Sequence, residues 1–321
     1  MGLPHRNAGQ KGIALLVVMW ALLLLTGVAV ALTAAVKTET AAALSHRKWV
    51  EKKYYAWAGV QRGIMEILRR KARGTDRAGI DGEDVLQMDG TAWSGRIGGG
   101  FYSFRVTDES GKLDLNSLSD RNRSVLYNLL LNLDVAEEAA DTIADSILDW
   151  KDADDLHRLH GAESDYYESL NPPYRAKNAD FDLLEELRMV KGMTPGLLFG
   201  AGQKRGLIEY LTLHSPSKKI NASAASKELL EAVPGIGPER ALQIIEWRRA
   251  AGLRSVAELK IILGEAFTIS APFLETGESN VFTIESAGGR EGETGLYRIR
   301  ATLLIEGVNR YRFLVYKSPT D

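Results

Sequence analysis

The feature of this sequence that most constrains its fold is an uncharged apolar run near the N-terminus, at residues 13–36. About 20 apolar residues are enough to span the hydrocarbon core of a bilayer as a helix. The apolar core of a cleaved secretory signal is shorter, at roughly 7–15 residues. The run therefore predicts a single membrane-spanning helix that the mature protein retains. Cleavage by signal peptidase within the small-residue stretch 31–35 is the alternative.

The basic residues before this run predict its orientation. Arg6 and Lys11 precede the span, together with His5. Because cytoplasmic flanks are enriched in Lys and Arg, we expect a cytoplasmic N-terminus, with the bulk of the chain outside the cytoplasm.

The helical pattern continues beyond the apolar run. Apolar residues recur at helical spacing, namely Trp49, Ala56, Val60, Ile64 and Ile67. A helix from Ile13 to about Arg73 would be roughly 90 Å long, with a lipid-compatible first half and an amphipathic second half, ending at Gly74. An ordinary membrane tether followed by a separate helix is the alternative.

Sequence patterns typical of β-strands occur before and after a long central segment, which itself contains few such patterns. Residues 98–106 form a glycine loop that enters a strand, and residues 280–286 form another strand. Residues 297–305 and 311–315 alternate apolar and polar side chains, which predicts an antiparallel hairpin with one buried face.

The central segment, residues 112–278, is predicted to be helical and repeats itself weakly. The stretch KLDLNSLS, starting at Lys112, matches KINASAAS, starting at Lys219, and SILDWK matches QIIEWR further along each copy. The first copy, residues 112–217, carries an insertion that includes an acidic loop at residues 149–174. The second copy comprises residues 218–278.

The second copy contains a sequence typical of a helix-hairpin-helix motif, AVPGIGPERALQII at residues 232–245. In DNA-binding proteins such a turn presents backbone N–H groups to phosphate. Residues 218–264 hold eight Lys or Arg against five Asp or Glu, a modest excess for a protein that contacts several phosphates. We therefore favour a structural or protein-contact role and expect no nucleic-acid partner.

The acidic loop is the strongest candidate for a metal site. Residues 134–186 carry sixteen carboxylates against four basic side chains. Such a density of charge is self-repelling, and Ca²⁺, which takes 6–8 oxygen ligands in irregular loops, would offset it. The expected ligands are Asp152, Asp154, Asp155, Glu163 and Asp165. A solvated acidic surface, or a zinc site at His157 and His160, is the alternative.

Composition and motifs limit the other functions. The chain has no cysteine, which excludes disulfides and thiolate chemistry, and its formal net charge is only −2. It contains no nucleotide-binding loop, nucleophile elbow or zinc-protease motif. We therefore predict that it is not an enzyme and has no small-molecule substrate.

Taken together, these motifs resemble the minor pseudopilin K family of bacterial type II secretion systems. The resemblance rests on KGIALLVVMWALLLL, ILDWKDADD, GAESDYY, LLEELRMVKGM and PGIGPERA, which are distributed over nearly the whole chain. It implies that prepilin peptidase cleaves the chain between Gly12 and Ile13 and that the new N-terminus is methylated. It also implies a structural Ca²⁺ in the acidic loop and a tip complex with I-type and J-type minor pseudopilins. Val17 stands where most pilins have a glutamate, an absence that the family shares. Ala153 replaces a proline that is usual in the family's loop.

The resemblance also implies an α+β fold: a pilin-like long N-terminal helix and a small antiparallel sheet, with a large inserted all-α domain of two helix-hairpin-helix or SAM-like modules. The predicted segments are the leader (1–12), the membrane half (13–36) and periplasmic half (37–74) of the helix, the first part of the head (75–111), the inserted domain (112–278) and the last strands (279–321). A membrane-anchored DNA receptor of the competence type and a type IV pilus minor subunit are the alternative functions.

Overall fold

A computed structural model of the protein describes residues 10–73, 88–250, 252–277, 279–307 and 310–320. Leader residues 1–9 and the helix stop predicted at Gly74 lie outside these ranges. The described residues form nine α-helices, numbered in chain order: α1 (Gln10–Arg73), α2 (Arg123–Asn132), α3 (Glu137–Lys151), α4 (Ser164–Glu168), α5 (Pro195–Phe199), α6 (Lys227–Ala232), α7 (Gly237–Ala250), α8 (Val256–Leu263) and α9 (Phe267–Ser270).

Eleven strands lie within the described residues. They are β1 (Asp89–Ile97), β2 (Gly100–Asp108), β3 (Leu113–Asp114), β4 (Gly200–Ala201), β5 (Lys204–Arg205), β6 (Leu211–Thr212), β7 (Ile220–Asn221), β8 (Leu274–Glu275), β9 (Val281–Arg290), β10 (Tyr297–Gly307) and β11 (Arg310–Lys317). Short 3₁₀ turns occur at Glu109–Gly111, Leu184–Met189, Leu207–Glu209 and Gly264–Ala266.

The long N-terminal helix is present as predicted. α1 comprises 64 residues, which corresponds to about 96 Å at 1.5 Å per residue. It is long and apolar enough to cross a membrane, and its apolar side chains from Ile13 to Val36 are exposed. Further along, Ala56, Val60 and Ile67 are fully buried. One helix thus combines a lipid-compatible half with a half that packs on protein.

The second half of α1 packs against a five-stranded antiparallel sheet of order β1-β2-β9-β10-β11. Helix and sheet share one apolar core, whose sheet side includes Phe104, Val106, Ile284, Ala301 and Leu303. The two backbones approach closely at Gly288, where an added Cβ would lie 2.2 Å from the backbone nitrogen of Ala56. The predicted strands are all found. β1, which the sequence pattern did not predict, extends the sheet at its edge.

All the other helices lie between β2 and β9 in the sequence, and they have a core of their own. Two short parallel strand pairs occur in this helical region: β3 pairs with β6, and β7 pairs with β8. α2 packs on α6, where Asn128 Nδ2 donates to the carbonyl of Ala232 at 2.9 Å.

Buried polar contacts join the helical region to the sheet. Asn221 Nδ2 donates to Ser110 Oγ at 3.0 Å and to the carbonyl of Gly277 at 2.6 Å. A Cβ added to Gly111 would lie 2.6 Å from the backbone of Ala224. The chain enters the helical region after β2 and leaves it before β9. Because backbone contacts this close leave little room for rotation, the contacts at these two points fix the orientation of the helical region relative to the sheet.

Candidate functional site

The acidic loop begins where α3 ends. α3 buries Ile143, Ile147 and Trp150 on one side, and the helix stops at Asp152, whose backbone is extended. The Trp150 ring packs edge-on against Tyr167 at 5.1 Å between centroids. This aromatic contact brings the start of α4 back to the end of α3, so that the two ends of the loop lie close together.

Three of the five predicted metal ligands meet at this point. One carboxylate oxygen from each of Asp152, Asp154 and Glu163 lies within 4.8 Å of the others. Glu163 is only 1% exposed. Among the described residues, neither of its carboxylate oxygens has a hydrogen-bond partner, and the same holds for Asp152 Oδ1. Buried carboxylate oxygens without a donor are unfavourable unless a proton or a cation compensates them.

The electrostatics of Glu163 follow from this placement. Burial raises its pKa, and the charges of Asp149, Asp152 and the neighbouring aspartates add to the effect, so that the pKa moves from 4.5 to about 7. The group is therefore a carboxylate that the protein alone does not stabilise in its charged form.

The other two predicted ligands lie apart from this group. Asp155 Oδ1 accepts a hydrogen bond from Asn178 Nδ2 at 3.4 Å. Asp165 Oδ1 faces His157 Nε2 at 3.1 Å, which places the first histidine of the zinc alternative beside a carboxylate. The second, His160, donates its backbone N–H to Asp145 Oδ2 at 3.2 Å.

Two residues that the sequence reasoning did not select complete the centre. Asp149, whose side chain is fully buried, lies 2.7 Å from Arg158 Nη1, and the same nitrogen lies 2.6 Å from Asp152 Oδ2. Arg158 Nε also reaches Asp120 Oδ1 at 3.1 Å. Burial raises the pKa of Asp149, although its hydrogen bonds from Arg158 act in the opposite direction. The signal available in the sequence was one arginine amid a dense run of carboxylates.

Gly161 is needed at this centre for steric reasons. A Cβ at position 161 would lie 1.7 Å from Asp149 Oδ2. The Gly161 carbonyl accepts a hydrogen bond from Lys191 Nζ at 2.9 Å, which ties the loop to the segment after the Leu184–Met189 turn.

The candidate nucleic-acid contact is the turn between α6 and α7. Gly235 and Gly237 adopt positive φ angles of 88° and 65°. A Cβ on Gly235 would lie 3.2 Å from Cβ of Ile269, so the turn rests against α9. The Arg248 side chain is only 10% exposed and faces Asp89 at 3.8 Å, and it donates to the carbonyl of Ala225 at 2.6 Å. The turn between α6 and α7 and the side chain of Arg248, near the end of α7, therefore both contact protein.

The predicted processing site lies in the first turns of α1. Gly12 and Ile13 both fall within the helix. Ile13 is 64% exposed, and Val17 is 61% exposed. No carboxylate occurs between Ile13 and Val36, so this segment of the helix presents only apolar and hydroxyl side chains.

Comparisons with known proteins agree on one family. Residues 111–199 match the family described as type II secretion system protein K. Over these residues, this chain is similar to that family. The type II secretion system protein K of Pseudomonas aeruginosa is 28% identical over 265 residues, 77% of this chain and 75% of that protein. The relative from Pectobacterium carotovorum is 30% identical over 59% of this chain and 60% of its own length. The relative from Klebsiella pneumoniae is 26% identical over 78% of this chain and 79% of its own length.

The fold has a counterpart among solved structures. In the crystal structure of the GspK-GspI-GspJ complex from enterotoxigenic Escherichia coli, one chain matches with a TM-score of 0.66 and 17% identity. The match covers 87% of this chain and all of that one. At this identity the likeness establishes the α+β fold with its long N-terminal helix. Protein K is a structural pseudopilin of the secretion system and not a known enzyme, and the apolar half of α1 fits a single-pass membrane anchor.

Proposed function

We propose that this protein is the minor pseudopilin at the tip of the type II secretion pseudopilus, where it initiates and caps the fibre and supports export of folded proteins across the outer membrane. The observation that carries the proposal is the large helical region between β2 and β9 of a pilin-like head. A subunit of the fibre shaft must stack against neighbours above and below it. A head enlarged on this scale suits the end of a fibre better.

The N-terminal helix supports the same position. A typical pilin carries a glutamate five residues into the mature chain, which neutralises the terminal amine of a neighbouring subunit. Here that position is Val17, so the helix offers no carboxylate for this contact. A first subunit that docks on no earlier one has no need of the carboxylate.

The proposed partners are I-type and J-type minor pseudopilins, because the matched structure is a GspK-GspI-GspJ complex. We expect the detergent-solubilised full chain to form a single complex when it is mixed with the I-type and J-type proteins of its own organism. Size-exclusion chromatography with light scattering is the measurement.

The competing DNA-receptor function is tested with the same preparation. Because Arg248 is engaged with Asp89 and Ala225, we expect no salt-dependent binding to duplex DNA. An Arg240→Glu variant is the matched control, since this side chain lies next to the helix-hairpin turn. Elution of the chain as a monomer, together with DNA binding that Arg240→Glu abolishes, would favour the receptor.

The N-terminus is proposed to be processed by prepilin peptidase in the inner membrane, followed by methylation. We expect Edman or mass-spectrometric sequencing of the mature protein to begin at Ile13. A Gly12→Leu variant should stay unprocessed, because Gly12 is the small residue at the boundary between basic leader and apolar helix. Gly27→Ala is the matched control, since an added Cβ there meets nothing within 4 Å. A mature chain beginning at Ala34 or later contradicts both the cleavage site and the retained membrane helix.

The acidic loop is proposed to hold a structural Ca²⁺. Asp152, Asp154 and Glu163 would bind it, and Asp155 and Asp165 remain the other carboxylates of the predicted set. The support is the orphaned, buried carboxylate of Glu163 beside two further acidic groups. The ion supplies positive charge and oxygen coordination, and no reaction is assigned to it. Charge compensation at this point stabilises the junction of α3, the loop and α4.

A further inference from the structure

Two leucines in the acidic loop are far more exposed than their chemistry favours. Leu159 is 90% exposed and Leu156 is 75% exposed, the two highest values for large hydrophobic side chains in the described part of the chain. Even the side chains of the apolar half of α1, which suit a lipid environment, range only from 53% to 66%. Exposed apolar patches rimmed by polar residues mark sites of interaction, and these two leucines lie three residues apart in one acidic loop.

Polar contacts within the loop hold the segment that carries Leu156 and Leu159 in a conformation that leaves both side chains exposed. Arg158, between the two leucines, is turned inward by its ion pairs with Asp149 and Asp152. On one side, the backbone N–H of Leu156 donates to Asp154 Oδ1 at 2.9 Å. On the other, the backbone N–H of His160 donates to Asp145 Oδ2 at 3.2 Å. The inward arginine leaves its two apolar neighbours pointing outward, so the pair is presented by a fixed segment.

The surroundings of the pair restrict what can bind it. Asp154, Asp155 and Asp165 are exposed within the same loop. Residues 134–186 carry sixteen carboxylates against four basic side chains. An anionic bilayer surface would be repelled by this charge, although it could accept leucine side chains. A protein surface with an apolar pocket and a border of Lys or Arg complements both features.

We propose that Leu156 and Leu159 form a docking tip that inserts into an apolar, basic-rimmed pocket of a partner protein. The two leucine side chains are exposed to solvent, whereas Glu163 of the proposed metal site is buried. The tip does not depend on the proposed place of the chain in a pseudopilus.

The test is site-specific photocrosslinking with the full chain in the membranes of its native host. The photoreactive residue p-benzoylphenylalanine is introduced at position 156 or 159, and at Ala153 as a matched control that is exposed in the same loop. We expect one protein adduct of defined mass from positions 156 and 159, at least tenfold stronger than from position 153. Peptide mapping should place the crosslink among apolar residues flanked by Lys or Arg, and high salt should weaken it.

A second measurement separates docking from folding. A Leu156→Ser, Leu159→Ser double variant should keep the wild-type melting temperature, because neither side chain is buried. With the photoreactive residue at Ser164 as a neighbouring probe, the double variant should lose the adduct that the wild-type background gives. Any one of the following results would overturn the proposal: adducts to lipid or to a second copy of the chain, equal labelling from position 153, a contact site without basic residues, or an unchanged adduct in the double variant.

Discussion

Calcium is expected to raise the melting temperature of this protein, and a chelator is expected to reverse the effect. The physical reason is the buried carboxylate of Glu163, which has no hydrogen-bond partner among the described residues and lies beside Asp152 and Asp154. An ion that binds only the folded state stabilises it by about 1.4 kcal/mol when its free concentration is about ten times Kd. Since extracellular calcium sites bind at roughly 10⁻⁴–10⁻³ M, scanning calorimetry in millimolar calcium should detect the shift.

Two variants distinguish a bound ion from general charge screening. Asp152→Asn combined with Asp154→Asn should abolish the calcium response while the sheet stays folded, because the sheet has a separate core. Asp180→Asn is the matched control, since this exposed carboxylate belongs to the same acidic region but lies outside the group. Equal melting in calcium and in chelator, with no metal found by elemental analysis, would show that the loop is a solvated acidic surface.

The same carboxylate predicts a pH dependence in the absence of metal. The pKa of Glu163 is about 7 in the folded protein against an ordinary value of 4.5. Between these values the folded state binds more protons than the unfolded state, so stability should fall as pH rises from about 4.5 to 7. Glu163→Gln should remove this part of the pH dependence, and saturating calcium should also remove it because the ion favours the ionised carboxylate. An unchanged pH profile in Glu163→Gln would contradict the assignment.

The elements best predicted from sequence are those whose pattern is local. The periodic apolar residues in the second half of α1 and the alternating side chains of β10 and β11 reflect one protein-facing side each, and a single such side imposes a readable period. β1 was missed because its sequence, DGTAWSGRI, carries little such pattern. It is an edge strand with few buried residues, and it forms by pairing with β2 across a tight turn.

The acidic loop shows where residue type alone is insufficient. Carboxylate density pointed to the loop in which three of these side chains meet, but it could not separate Asp154, which joins the group, from Asp155, which turns to Asn178. Neighbouring residues in an irregular loop point in directions that only the folded backbone determines. The role of Arg158 was equally inaccessible, because tertiary packing brings it to Asp120 before α2, and the folded loop brings it back to Asp149 in α3.

One close backbone contact in the joint between α1 and the sheet requires a missing side chain at Gly288. A Cβ there would lie 2.2 Å from the backbone nitrogen of Ala56 and 2.5 Å from the carbonyl oxygen of Lys52. Both neighbours are backbone atoms of α1, so no side-chain rotation can relieve the clash, and the helix must move away from β9. The shared core formed by Val60, Ile284 and their neighbours would then open.

Gly288→Ala is therefore expected to destabilise the head by about 3 kcal/mol, at the upper end of the usual range for overpacking. For a protein of this size the melting temperature should fall by about 2–4 °C per kcal/mol, which scanning calorimetry measures directly. The matched control is Gly196→Ala, because a Cβ there meets no atom within 4 Å and should change stability by less than about 0.5 kcal/mol. Since the helical region has its own core, its calcium response should survive the change at Gly288. Equal melting temperatures for the two variants would mean that α1 is not seated on β9 at this glycine, and the anchoring of the head on its membrane helix would need another explanation.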